Sequence, residues 1–252
     1  MKIQVVRCDI QVYPPGMQKI WATSLLLSIF LSFLPLSCAP RKKARPLTEF
    51  SQHKVVPVLG SKIHYLETGP KDAPTVLLLH GGRFTKETWA RIGTPMVLAE
   101  AGFRVLALDL PGFGASEVFR GERGEFLEGF MDALDLSKTA LVSPSMSGSF
   151  SLPFVAKHPE KLWAFVPIAP VAVPGFREKL AEGGTLEPSP VPALVVWGEK
   201  DRLFPASGAA ALGNLFQKSE VNILAGASHP CYLDRPKEFH ASLLRFLKSL
   251  RG

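Results

Sequence analysis

Four apolar runs in this chain end in a turn that carries a polar side chain. They are TVLLL before His80, TALV before Ser145, ALVVW before Asp201 and VNIL before His229. Continuous apolar runs of this length are typical of strands buried on both faces of a parallel sheet. Segments with helical spacing alternate with them, which predicts an α/β fold with a mostly parallel, doubly wound sheet. Such a sheet places a functional site beyond the carboxyl ends of its strands.

The turn SPSMSG at 143–148 has the form of a nucleophile elbow. In that motif a strand, a sharp turn with one exposed Ser and a helix follow one another, usually as G-x-S-x-G. Here Ser143 and Ser147 replace the two glycines, and Gly148 comes one position later. The small residues on both sides favour Ser145 as the nucleophile.

The order Ser145, Asp201, His229 is the chain order of the triad in the α/β-hydrolase fold. A Ser hydroxyl needs a base to accept its proton, and the imidazole of His229 is suited to that role. Asp201 would orient His229 and stabilise the imidazolium. The backbone N–H groups of Gly82 and Met146 are expected to form the oxyanion hole.

Other side chains compete for these roles. The neighbouring serines 143, 147, 149 and 151 are alternative nucleophiles, and Glu199 and Asp234 are alternative carboxylates. Cys231 could be a second nucleophile, although a packing role is favoured. We expect His80 to have a structural role in the turn after its strand, and Asp109 to cap a turn.

The net charge of +7 does not indicate a nucleic-acid partner. Residues 1–52 contain seven basic and two acidic side chains and so supply +5 of it. The remainder is nearly neutral and has no basic stripe with interleaved aromatic residues. The three cysteines, at positions 8, 38 and 231, have neither disulfide-framework nor metal-site spacing, so we expect no metal and no cofactor.

Residues 1–52 are interpreted as a signal or anchor segment with a linker, and 53–252 as the α/β-hydrolase domain. The uncharged run Ile20–Leu36 follows a compact charged start at Met17, and Cys38 then resembles a lipidated cysteine. This predicts a membrane-associated lipoprotein or a secreted protein, outside the cytoplasm. The basic residues at 41–45 leave open an uncleaved single-pass anchor with a cytoplasmic domain.

The motifs resemble those of the α/β-hydrolase-domain-containing protein 14 group, with its A and B types. The resemblance lies in SPSMSG at 143–148, HPCYLD at 229–234, HGGRF at 80–84 and DLPGFG at 109–114. It implies a serine hydrolase that acts on small acyl groups, acetyl included, with Ser145, Asp201 and His229 as its triad. The interval between Ile168 and Val191 is too short for a large lid domain, which also favours small acyl groups.

Two other functions stay open. The chain could transfer the acyl group to an acceptor other than water, or it could be a non-catalytic ligand-binding protein of this fold. Its expected partners are a small acyl-bearing substrate and, through the N-terminal segment, a membrane. The sequence does not reveal the oligomeric state.

Overall fold

The computed structural model describes residues 52–251. The predicted signal or anchor segment lies outside the described residues, together with Met17 and Cys38. Within residues 52–251, no helix combines the length and the apolar character that crossing a bilayer requires.

An eight-stranded sheet forms the centre of the described part of the chain. Its strands are β1 Gln52–Val58, β2 Ser61–Thr68, β3 Thr75–Leu78, β4 Arg104–Leu108, β5 Thr139–Pro144, β6 Leu162–Ile168, β7 Ala193–Gly198 and β8 Ser219–Leu224. The order across the sheet is β1-β2-β4-β3-β5-β6-β7-β8. β1 and β2 form an antiparallel hairpin, β2 is antiparallel to β4, and the other pairs are parallel. The predicted doubly wound α/β fold is confirmed.

Helices cover both faces of this sheet. They are α1 Lys86–Arg91, α2 Thr94–Glu100, α3 Arg123–Asp132, α4 Gly148–Lys157, α5 Val173–Leu180, α6 Gly208–Gly213, α7 Cys231–Asp234 and α8 Pro236–Ser249. One apolar core lies under α3 to α6, and a second lies under α1, α2 and α8. Because both faces are buried, the central strands are apolar along their whole length, as the sequence indicated.

The structure sets the bounds of two predicted helical segments. The apolar pattern over 86–101, which Pro95 is expected to kink or break, forms two helices: Gly93, which has a φ of 76°, separates them, and Pro95 lies in the first turn of the second. The helix predicted over 205–216 spans only Gly208–Gly213, since the preceding residues form a turn in which Gly208 N–H donates to Pro205 O.

The connection between β6 and β7 contains one helix, α5, and no separate lid domain. This segment also supports the site, because Val171 N–H donates to the Ser145 carbonyl at 3.0 Å. Because β3, β5, β7 and β8 run parallel in one sheet, their carboxyl ends lie at the same edge of it. The turns that follow these strands form a single site there.

Candidate active site

Ser145 occupies a sharp turn between β5 and α4. Its φ of 51° lies in the left-handed region, which residues other than glycine rarely adopt. A 3-10 turn over Ser145–Ser147 leads directly into α4. Backbone strain of this kind persists only when the surrounding structure holds it in place, and it is concentrated at functional sites.

Gly148 is the residue that allows the elbow to pack against the end of β6. A Cβ atom at this position would lie 2.5 Å from the Val171 carbonyl oxygen and 2.7 Å from Pro170 Cβ. The elbow pattern predicts a small residue at position 147, but the tightest approach occurs one position later, at Gly148. Ser147 is fully buried, and its hydroxyl is tolerated there because it forms hydrogen bonds with Ser143 Oγ and Pro144 O.

Three buried hydroxyl groups form a hydrogen-bonded chain beneath the elbow. Ser147 Oγ donates to Pro144 O at 2.8 Å, so it accepts from Ser143 Oγ at 2.9 Å. Ser143 in turn accepts from Ser151 Oγ at 2.7 Å, since each hydroxyl has one proton. The chain satisfies all three buried hydroxyls, which explains how serines can stand where glycines are usual. The four-residue spacing of these serines was the sequence signal for it.

His229 lies between Ser145 and Asp201. Its Nδ1 is 2.8 Å from Asp201 Oδ2, and its Nε2 is 2.7 Å from Ser145 Oγ. Because the carboxylate can only accept, Nδ1 carries the proton and Nε2 accepts the hydrogen bond from the Ser145 hydroxyl. The structure thus brings together all three side chains predicted to form the triad.

Asp201 is held by its own loop. Its side chain is fully buried, and Oδ1 accepts from the N–H groups of Leu203 at 2.8 Å and Phe204 at 2.9 Å. The ring of Phe204 lies edge-on to His229, with 5.2 Å between the ring centroids. These contacts fix the carboxylate and restrict the imidazole to the orientation that faces Ser145.

The two competing carboxylates have other partners. Glu199 accepts from Gly226 N–H at 2.6 Å, and Asp234 accepts from the N–H and hydroxyl of Ser228 at 2.7 and 2.6 Å. All three bonds fix the loop that carries His229. The geometry therefore favours Asp201 as the partner of the imidazole.

Cys231 is fully buried and packs in the second core. Burial raises the pKa of its thiol to about 12. A thiol with such a pKa is a poor nucleophile at neutral pH, because the thiolate is the reactive form. The packing role that the sequence favoured agrees with this position, although burial is complete rather than partial.

The turn after β3 brings Gly82 to Met146. A Cβ at Gly82 would lie 3.4 Å from Met146 Cβ, and both residues line the cavity above Ser145. Met146 lies in the first turn of a helical segment, where N–H groups have no helical acceptor. Among the hydrogen bonds of residues 52–251, Gly82 N–H has no backbone acceptor. The assignment of both as oxyanion donors stays a prediction.

His80 joins the turns after β3 and β4. Since Leu110 N–H donates to Nε2 at 2.9 Å, the proton lies on Nδ1, which donates to Gly81 O at 2.9 Å. Burial lowers the pKa of this imidazole, in keeping with its neutral state. Next to it, buried Asp109 accepts from the backbone N–H of Lys86 and from its ammonium group, at 2.9 and 2.6 Å. Asp109 also caps its own turn, because it accepts from Ala115 N–H at 3.0 Å, so both residues have the structural roles expected for them.

A cavity of about 480 Å³ opens over Ser145. Apolar side chains form much of its wall: Phe84, Met146, Ile168, Leu203 and Tyr232. Of these wall residues, the sequence analysis singled out only Met146, and for its backbone N–H group. Phe84 and Tyr232 could have been predicted as wall residues, because each lies in a motif that contains a predicted site residue. Among the described residues, no cluster of three or more His, Cys, Asp or Glu side chains could hold a metal ion.

This combination of fold and site defines an α/β hydrolase, and comparison with known proteins agrees. A sequence profile of the alpha/beta hydrolase fold matches residues 74–184. Human ABHD14B, whose name proposes a protein-lysine deacylase, is 39% identical over 208 residues, which are 78% of this chain and 95% of that protein. Rat ABHD14A is 36% identical over 236 residues, or 89% and 95% of the two chains.

The chain therefore belongs to the α/β-hydrolase fold family, within the group formed by ABHD14A and ABHD14B. The predicted resemblance is confirmed. The crystal structure of a predicted CIB-like hydrolase from Thermoplasma acidophilum shares the fold, with a TM-score of 0.73 and 22% identity over 79% of this chain and 98% of that one.

We predict that Gly148→Ala destabilises the protein, because the added methyl group would overlap the Val171 carbonyl. Overpacking of this kind costs about 1–3 kcal/mol. The measurement is the free energy of unfolding in urea. Gly175→Ala in α5 is the matched control, since a Cβ there meets no atom within 4 Å and Ala favours the helix. Equal stability of the two variants would contradict this account of the elbow.

We also predict that Cys231 resists alkylation in the folded protein. With a pKa of about 12, only about one thiol in 10,000 is ionised at pH 8, and burial blocks the reagent as well. Iodoacetamide treatment followed by peptide mapping should find this residue unmodified under native conditions and modified in denaturant. Rapid native modification at this position would show that the thiol is accessible.

Proposed function

We propose that this protein is a serine hydrolase that removes small acyl groups through an acyl-enzyme on Ser145. The observation that carries the proposal is the pair of hydrogen bonds at His229, to Ser145 Oγ at 2.7 Å and to Asp201 Oδ2 at 2.8 Å. A nucleophile and base in contact, with a third group that orients the base, are the parts that covalent acyl transfer needs.

In the proposed reaction, Ser145 Oγ attacks the acyl carbonyl carbon while its proton passes to His229 Nε2. Asp201 stabilises the imidazolium that forms. The carbonyl oxygen, now negative, accepts hydrogen bonds from the N–H groups of Gly82 and Met146, which line the same cavity. The bond to the leaving group then breaks, and that group takes the proton from His229.

Water completes the reaction by the same path. It gives a proton to His229, attacks the acyl-enzyme and releases the acid and the free Ser145 hydroxyl. The cavity of about 480 Å³ lies in the lower part of the range for small-molecule pockets, about 300–1,000 Å³. Since the leaving group needs part of that space, short acyl groups such as acetyl are favoured.

The relatives support the same class of reaction. ABHD14B proteins from human, orangutan and rat have names that propose a protein-lysine deacylase. A deacylase of that kind cleaves an acyl group from an amine, which the proposed mechanism allows, because His229 can protonate an amine as it leaves.

We predict that Ser145→Ala abolishes hydrolysis of 4-nitrophenyl acetate. Loss of a triad nucleophile lowers kcat by about 10³-fold or more. Ser207→Ala is the matched control, because it makes the same chemical change at an exposed position whose side chain makes no capping bond. Circular dichroism and a urea titration establish that both variants are folded.

Release of 4-nitrophenol, measured by absorbance, distinguishes the outcomes. We expect wild-type rates from Ser207→Ala and the uncatalysed background from Ser145→Ala. Undiminished turnover by folded Ser145→Ala protein would refute the proposal. Transfer of the acetyl group to an added amine, alcohol or thiol, in competition with water, would identify the protein as an acyltransferase instead.

A further inference from the structure

A second cleft, which we call the basic cleft, adjoins the cavity over Ser145. Leu203, His229 and Pro230 line both. The basic cleft has a volume of about 410 Å³, and its other lining residues are Lys200, Arg202, Gly226 and Ser228. Gly82 and Met146 line only the first cavity. The two spaces therefore adjoin along these three residues, and the proposed oxyanion donors line only one of them.

Lys200 and Arg202 give the basic cleft its charge. Both are exposed, and within residues 52–251 neither forms an ion pair. The nearby Glu199 and Asp234 do not line the cleft, and each already accepts a hydrogen bond from the loop after β8, at Gly226 and Ser228 respectively. Two cations without ion-pair partners thus face a space that begins at His229.

The proposed reaction determines which part of a substrate enters this space. The acyl carbonyl oxygen must lie at Gly82 and Met146, in the first cavity. The leaving group must lie beside His229, because it takes its proton from Nε2. The basic cleft is lined by His229 but not by Gly82 or Met146, so we place it on the leaving-group side of the bond that breaks.

We propose that the basic cleft binds a carboxylate carried by the leaving group, held by Lys200 and Arg202. The inference rests on the proposed function and specifies its substrate class as acylated amines or alcohols with an acidic group near the acylated atom. A small acid and an acidic residue that flanks an acyl-lysine present the same chemistry. Guanidinium and ammonium groups both bind carboxylates through charge-assisted hydrogen bonds.

A pair of esters tests this directly. The acetate esters of 4-hydroxybenzoate and of 4-hydroxybenzamide differ in the charge of the leaving group and little in size. After correction for the uncatalysed rates, we expect kcat/KM for the charged ester to be larger, by about threefold to tenfold at low ionic strength. The ratio should fall as salt is added, since both cations are exposed.

Variants assign the effect to the basic cleft. The double substitution Lys200→Gln and Arg202→Gln should bring the ratio of the two kcat/KM values to about one, and the double substitution Lys200→Glu and Arg202→Glu should reverse it. Lys71→Gln, in the exposed β2–β3 connection, is the matched control and should keep the wild-type ratio. Arg83→Gln tests the other exposed cation, in the wall of the first cavity. Loss of the preference in that variant alone would overturn the assignment.

Binding to Ser145→Ala separates this inference from the proposed function. We expect this variant to bind 4-hydroxybenzoate more tightly than 4-hydroxybenzamide by calorimetry, whether or not the wild type turns over either ester. Equal binding of the two, together with equal kcat/KM in an active wild type, overturns the inference and leaves the hydrolase intact. If the wild type turns over neither ester but Ser145→Ala still binds 4-hydroxybenzoate more tightly, the proposed hydrolase function is refuted and the inference about the basic cleft stands.

Peptides identify the source of the carboxylate. Acetyl-lysine peptides with flanking Glu residues are compared with the same peptides carrying Gln. A preference for the Glu peptides that the double variant loses supports acidic protein segments as leaving groups. A preference confined to the small ester supports a small acid.

Discussion

The close packing of the Ser145 elbow against the end of β6 is the constraint on which the rest of the site depends. Gly148 allows the approach, and the hydrogen bond from Val171 N–H to the Ser145 carbonyl holds it. The strained backbone of Ser145 is therefore fixed by tertiary contacts, not by local preference. Were this contact to open, the hydroxyl would lose its position relative to His229.

One chain of hydrogen bonds connects the loop after β7 to Ser145 through Asp201 and His229. Asp201 is buried but accepts three hydrogen bonds, two from backbone N–H groups and one from His229. A buried carboxylate whose oxygens are satisfied in this way is held in position to orient the imidazole. The loop that supplies those bonds also carries Lys200, Arg202 and Leu203. The same short segment thus determines both the orientation of the base and the charge beside it.

Most of the architecture could be predicted because its signals are local. Apolar runs identified the strands, and the rule that parallel strands end at one edge brought Ser145, Asp201 and His229 together. The features that were missed depend on contacts between distant segments. The requirement for glycine at 148 arises from residues 170 and 171, and no local pattern marks which loop will approach. The basic cleft likewise arises where the loops after β7 and β8 meet, and a helix as short as Cys231–Asp234 has too few residues for a periodic signal.

The most direct test of the account is the site of covalent labelling by a fluorophosphonate probe. Such probes react with a serine whose hydroxyl has been activated by a neighbouring base. Peptide mapping by mass spectrometry should place the adduct on Ser145 in the wild-type protein, and His229→Ala should abolish it. An adduct on Ser143, Ser147, Ser149 or Ser151 instead, or folded wild-type protein without any adduct, would contradict the central claim.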